Sequence, residues 1–319
     1  VLAHGRSLAL LALGFARLKE SISAAHRHKE SASADTRIYH LRMHSPSVSV
    51  VMPTFNHAAF IGEAIDSVLA QTFEDWELLV VDNHSTDGTE EVVRARRDPR
   101  IRYERFANDG VIARSRNRAI RAARGRYVAF LDSDDVWAPR KLEAQVELMD
   151  HEPGLGLVYV LFSKRFPDGR TTGLFPRERH RARGRAFRAL YLTPMVANSG
   201  AMVRRAALEG SGLLDEDPRL ATVEDSELWA RIGRIWAIDY VSGEPLLQYR
   251  TTRMGLPRGM SRWTQLRRRM ALARKNADHA GRALHAQLAL RIVAEFVGLQ
   301  ARDLLRAGLD YSRRASSRS

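Results

Sequence analysis

Three carboxylates within four residues, Asp132, Asp134 and Asp135, close an apolar run that ends in Ala129-Phe130-Leu131. Side by side, such groups repel one another and resist burial. A hard divalent cation relieves the conflict. Mg2+ or Mn2+ takes oxygen ligands, commonly one or two carboxylates completed by diphosphate oxygens and water. An ion held there stabilises negative charge building on a diphosphate leaving group. The competing reading is an acidic turn in which Asp135 caps a helix expected after Pro139. A second acidic pair, Glu224-Asp225, opens an amphipathic stretch through Leu228, Trp229 and Ile232. A carboxylate within hydrogen-bond reach of a hydroxyl can act as a general base. Acids at a helix start also interact well with the helix dipole, so plain capping competes here too.

The elements that must carry these groups follow from apolar periodicity. Residues 48–52 form a β-branched run ending at Pro53, and residues 76–81 form a second ending at Asp82. A third run covers 101–106, and a fourth, 127–131, ends at Asp132. Between them, 58–71 and 111–123 show helical spacing, and a helix is expected to about 97 with Ser85, Thr86 and Asp87 as caps. Gly125 is read as the stop of the helix before it. Strand and helix alternating at this spacing predict βαβ units and a mostly parallel sheet flanked by helices. Ligands of such sheets bind beyond the carboxyl ends of the strands, where this sequence places Pro53-Thr54-Phe55-Asn56, Asp82-Asn83 and Asp132 to Asp135. Further strands are expected at 155–162, 198–203, 237–241 and 246–249, a helix at 224–232, and an arginine-rich loop over 164–188. From about Trp263 the pattern is helical, with Leu284, Leu288, Ile292, Phe296 and Leu299 on one face.

These motifs resemble, in order and spacing, the family 2 glycosyltransferases of the GT-A fold, over roughly residues 46–250. The matching segments are Val48 to Asn56, Leu79 to Thr89, Arg116-Asn117, Gly125 to Asp135, Glu224-Asp225 and Glu227-Leu228-Trp229. The resemblance implies an inverting transfer of a sugar from a nucleoside-diphosphate donor to a glycan or lipid-linked acceptor in cell-surface polysaccharide synthesis. It implies that Pro53, Thr54 and Phe55 line the base pocket and that Asp82-Asn83 bind base and ribose. Many members carry a second acid where this chain has Asn83. An amide oxygen also accepts a pyrimidine N3–H, so UDP and dTDP remain the expected donors. Arg114 and Arg116 are both candidates for the base or diphosphate. Asp132 would face ribose or metal, Asp134 the metal, and Asp225, beside Glu224, would be the base. Tyr249-Arg250 matches the start of a Tyr-Arg-x-His segment, with Thr252 in the histidine position. His57 and His84 are read as loop residues.

The 319 residues hold no cysteine, which excludes disulfides, thiolate metal sites and cysteine nucleophiles. Net charge is +14, but residues 251–319 carry +11 of it and 1–43 another +4, leaving 44–250 at −1. Only 5 of the 51 basic residues are lysine, as an arginine-favouring GC-rich genome would give. The neutral body and the lack of a nucleic-acid-binding signature argue against a nucleic-acid partner. A silent nucleotide-sugar-binding domain is the main alternative, disfavoured by the intact Asp132, Asp134 and Asp225. A nucleotidyltransferase is disfavoured because residues 53–56 form no glycine-rich phosphate loop. The expected organisation is an N-terminal extension (1–45) that is unstructured or not native, with Met43 as an alternative start, a transferase domain (46–250) and a basic helical extension (251–319). No apolar run reaches the roughly 18–20 residues of a spanning helix. The expected place is the cytoplasm, with the basic helices packed on the body, self-associating, or lying peripherally on the anionic inner face of the plasma membrane.

Overall fold

A computed structural model describes residues 45–251 and 261–294, apart from the side chain of Arg262. Residues 1–44, Thr252, Phe296 and Leu299 lie outside these. In chain order the body runs β1 (Val48–Thr54), α1 (Ala58–Leu69), β2 (Trp76–Asp82), α2 (Thr89–Arg94), β3 (Ile101–Arg105), α3 (Ile112–Ala122) and β4 (Tyr127–Phe130). There follow β5 (Val136–Trp137), α4 (Lys141–His151), β6 (Leu155–Val160), β7 (Phe162–Arg165), β8 (Thr171–Phe175), α5 (Phe187–Leu192), β9 (Ala201–Arg204) and α6 (Arg205–Ser211). The last elements are α7 (Glu224–Ile235), β10 (Ala237–Val241), β11 (Leu247–Arg250), α8 (Arg262–Lys275) and a helix over 277–294, α9.

The main sheet has the order β10-β6-β9-β4-β1-β2-β3, and only β9 runs against the others. The expected mostly parallel sheet is therefore present. Alternation along β1 divides the core: Val48, Val50 and Met52 pack against Ile61, Ile65 and Val68 of α1 and Leu142 and Met149 of α4. Val51 faces the opposite layer, with Ala119 and Ile120 of α3 and Leu228, Trp229 and Ile232 of α7. Helices thus cover both faces, as a parallel sheet requires.

Gly125 has a different role from the one periodicity suggested. A Cβ there would lie 2.5 Å from the backbone nitrogen of Ser49, so the glycine permits the return of the chain into β4 against β1. Ser49 Oγ accepts hydrogen bonds from the amides of Gly125 (2.8 Å) and Arg124 (3.1 Å) at this crossing. Asp135 is not a helix cap either. Val136–Trp137 intervene as a strand, and the residue preceding α4 is Arg140. The stretch expected as a loop over 164–188 contains β8 and part of α5. β8 belongs to a second sheet of order β5-β11-β7-β8. The expected strand at 198–203 begins instead with a 3-10 turn, Asn198–Gly200, before β9.

The C-terminal helices share a third cluster with the body. Leu272, Ala273, Leu288 and Ile292 pack with Tyr191 of α5 and with Leu220, and Leu284 packs at its edge. The Tyr191 hydroxyl donates to the carbonyl of Ala273 at 2.9 Å. No helix among the described residues is long and apolar enough to cross a membrane.

Lys141, in the first turn of α4, is fully buried, and its ammonium nitrogen has no hydrogen-bond partner. It lies 3.6 Å from the centroid of the Trp137 ring. A desolvated cation–π contact is worth about 2 kcal/mol, while burying an ammonium costs several. Burial therefore prevails and holds the amine well below its usual 10.5. The unfolded chain binds the extra proton below that value, so stability rises as pH rises toward 10.5. Lys141→Met should raise stability at neutral pH and flatten this rise, as read from denaturant unfolding at a series of pH values.

Candidate active site

The site lies at the carboxyl ends of β1, β2 and β4. Arg116 of α3 is its centre. Buried to 4% exposure, its guanidinium donates to Asp132 Oδ1 at 2.7 Å and to Glu224 Oε1 at 2.5 Å. Asn198 Nδ2 donates to the same Asp132 oxygen at 3.0 Å, and Ser199 Oγ accepts the Asp132 amide at 3.0 Å. One side chain thus joins the end of β4 to the start of α7. Both acids hold the Arg116 guanidinium in its charged form against its own burial. Its neighbour Asn117 donates to the carbonyl of Leu214 (2.8 Å) and accepts the Leu214 amide (3.1 Å), fastening the chain that leads to α7.

The aspartate cluster is crowded. Burial, reinforced by the charge on Asp132, raises the Asp134 carboxyl above its usual range. Burial, with Asp134 and Asp132 nearby, raises Asp135 further. Asp135 Oδ1 accepts the Arg250 amide at 2.8 Å, while Oδ2 is buried without a partner. Arg250 Nε donates to the Asp134 carbonyl at 2.7 Å, and its Nη2 pairs with Glu63 of α1. Among the described residues, no side chain is seen donating to the Asp134 carboxylate itself. His57 Nδ1 lies 2.8 Å from Ser133 Oγ, which brings the imidazole to the edge of the cluster.

Glu224 and Asp225 occupy the first turn of α7. Asp225 is half-buried, and one of its oxygens takes the Ser226 amide at 2.6 Å. Burial and the adjacent Glu224 push its carboxyl up to about 7, opposed by Arg116.

The strand-end residues differ in their availability. Phe55 is 52% exposed at the end of β1, a free aromatic face, whereas Pro53 and Thr54 are buried within the strand. Asp82 is fully buried, taking the Ser85 hydroxyl and the Tyr103 hydroxyl, each at 2.5 Å. Its observed partners organise the loop after β2. The Asn83 amide oxygen accepts the Asn108 amide at 2.9 Å. Arg114, unlike Arg116, pairs outward with Asp109 and, at 3.7 Å, with Glu216. Sequence reasoning missed Asn198, Ser199 and Glu63, which carry no motif signal and reach the site only through folding.

The seven-stranded sheet with one reversed strand, covered by helices on both faces, has the GT-A fold of the solved transferases it resembles. TarS of S. aureus (residues 1–349, in complex with UDP) superposes with a TM-score of 0.55 at 22% identity, over 77% of this chain and 70% of that one. The mannosyltransferase PcManGT of Pyrobaculum calidifontis, in complex with GDP-Man and Mn2+, gives a TM-score of 0.59 at 24% identity, over 84% of this chain and 81% of that one. The chain belongs to glycosyl transferase family 2, whose profile matches residues 49–212. Among curated relatives, Escherichia coli WfgD is named a UDP-Glc:alpha-D-GlcNAc-diphosphoundecaprenol beta-1,3-glucosyltransferase. It is 44% identical over 102 residues, 32% of this chain and 40% of that protein. The chain thus spans about two fifths of that relative's length. The family match ends before Glu224, so the placing of the acidic pair rests on the geometry above.

Breaking a buried ion pair by removing one partner costs about 3–5 kcal/mol. Arg116→Met should destabilise the fold by that order in urea unfolding. Arg116→Lys should recover only part, because an ammonium lacks the planar fork that reaches both acids.

Proposed function

We propose that the protein is an inverting glycosyltransferase that uses a nucleoside-diphosphate sugar, with UDP or dTDP as the nucleotide. The carrying observation is the Arg116 bridge, which places the acidic cluster at β4 and the acidic pair at α7 on either side of one guanidinium. The strand-end cluster supports a donor side and the helix-start pair an acceptor side. Phe55 offers a surface on which a base stacks, and the Asn83 oxygen retains a second lone pair for a base N–H.

A divalent cation, Mg2+ or Mn2+, fits the donor side. No three His, Asp or Glu side chains converge on a cation site among the described residues. A site completed by diphosphate oxygens and water needs only one or two carboxylates, and the Asp134 carboxylate, crowded by Asp132, suits that role. Asp134 and Asp132 would hold the ion, which when bound offsets the charge of the departing diphosphate. On the acceptor side, Asp225 takes the proton of the attacking hydroxyl as its oxygen bonds to the anomeric carbon and the diphosphate leaves from the opposite face. A base held near 7 is matched to this task at neutral pH. Glu224, fixed by Arg116, orients the helix start.

The acceptor is read as a glycan or lipid-linked sugar of a cell-surface polysaccharide, supported by the name of the WfgD relative. The work is proposed at the cytoplasmic face of the plasma membrane, supported by the net positive charge of residues 251–319, which an anionic surface attracts.

A thermal-shift screen of nucleotides and nucleotide-sugars tests the donor side. A ligand at about 100 times its Kd stabilises by roughly 2.7 kcal/mol, and the shift should require Mn2+ or Mg2+. Asp134→Ala should lose that dependence, and unchanged affinity with Mn2+ would remove the metal assignment. Asp225→Asn should keep donor binding and lose transfer by about 10²–10⁴-fold. The raised carboxyl contributes stability that is lost as pH rises from 3.8 toward 7. The same variant should therefore be the more stable protein above pH 7.

A further inference from the structure

The chain that delivers Glu224 and Asp225 contains a backbone outlier. Thr222 has φ +70°. The other non-glycine residues at positive φ among the described residues are Asn56, His84 and Asp109, types that visit this region readily. A β-branched residue does not, and such a conformation persists only where the surroundings over-determine it.

Those surroundings include the C-terminal helix pair. Leu220 is fully buried against Leu272, Ala273, Leu288 and Ile292, and Val223 packs on the same cluster. Arg268 Nη1 of α8 donates to Thr222 Oγ1 at 3.3 Å. Upstream, Lys275 Nζ at the end of α8 pairs with Asp215 at 2.6 Å. The Val223 amide closes a turn onto the Leu220 carbonyl at 2.8 Å. On the far side, Glu224 is tied to Arg116. Residues 215–223 therefore lie between the helix pair and the acidic pair, held from both ends.

We infer that α8 and α9 form the support of the catalytic acids, with Arg268 and Thr222 as positioning residues that fix the start of α7. The basic extension is then part of the transfer machinery. This rests on the reading of Asp225 as the base. In structural terms it requires only that loosening α8 from Thr222 loosens residues 220–228.

Hydrogen exchange on the full chain decides the matter without substrate. In Arg268→Ala and Thr222→Gly, peptides covering 220–228 should exchange at least about tenfold faster, while those covering 127–135 stay unchanged. Thr222→Gly relieves the positive φ, so its thermal midpoint should not fall, which separates loss of position from loss of fold. Thr222→Ser, which keeps the hydroxyl, should behave as the unaltered chain. With UDP-glucose and Mn2+, UDP release should slow by about tenfold to a hundredfold in the two loosened variants, with UDP affinity unchanged and partial recovery in Arg268→Lys. Unchanged exchange at 220–228 overturns the inference. If exchange rises as expected but Asp225→Asn still releases UDP at the original rate, the support is real and the assignment of the base is what fails.

Discussion

A guanidinium buried between two carboxylates is the constraint around which this protein is organised. Arg116 cannot be left unpaired at its depth, and neither can Glu224, at 5% side-chain exposure. Each charge is tolerable only because the other is present. This mutual dependence fixes the distance between the ends of β4 and α7, elements almost a hundred residues apart in the chain. The pair is not a source of net stability in the way apolar contacts are. Its effect is geometric: the acids at the end of β4 and those at the start of α7 are held at one spacing.

The scaffold supplies that pair with little freedom to move. Parallel strands β4, β1 and β2 end together, so the polar residues following them emerge on one edge. The single reversed strand, β9, enters from the opposite direction and brings Asn198 and Ser199 to the same edge, where both bond Asp132. The second sheet adds Arg250, whose side chain and amide hold the backbone and carboxylate of the aspartate cluster. The cluster is thus braced by three separate elements while the Asp134 carboxylate remains available. Crowded acids held in this way lower the cost of binding a cation, because the repulsion is already present in the fold.

The C-terminal helices fit the same logic. Their apolar face, legible as Leu284, Leu288 and Ile292, finds its partner in the turn before α7. Strain at Thr222 is sustained because packing from α8 and α9 and the Arg116 tie act on the same short segment.

Much of this was legible in the sequence, for identifiable reasons. Apolar runs ending in Pro53, Asp82 and Asp132 determined strands whose polar ends had to meet, since strand length and side-chain period are local properties. The acidic pair at a helix start was equally plain. What the sequence left open depended on partners distant in the chain. It did not separate Arg114 from Arg116, because both lie on one helix and only the fold turns one outward to Asp109 and the other inward to Asp132 and Glu224. It suggested a cap at Asp135 and a loop over 164–188, since a two-residue strand and a short hairpin exist only through pairing with β11 and β7. It took Gly125 for a helix stop, although the close approach of Ser49 is what requires a glycine there. The sequence by itself determined which groups stand at which strand ends. The tertiary structure decided which of them face one another, because burial and pairing of charge are properties of the assembled core.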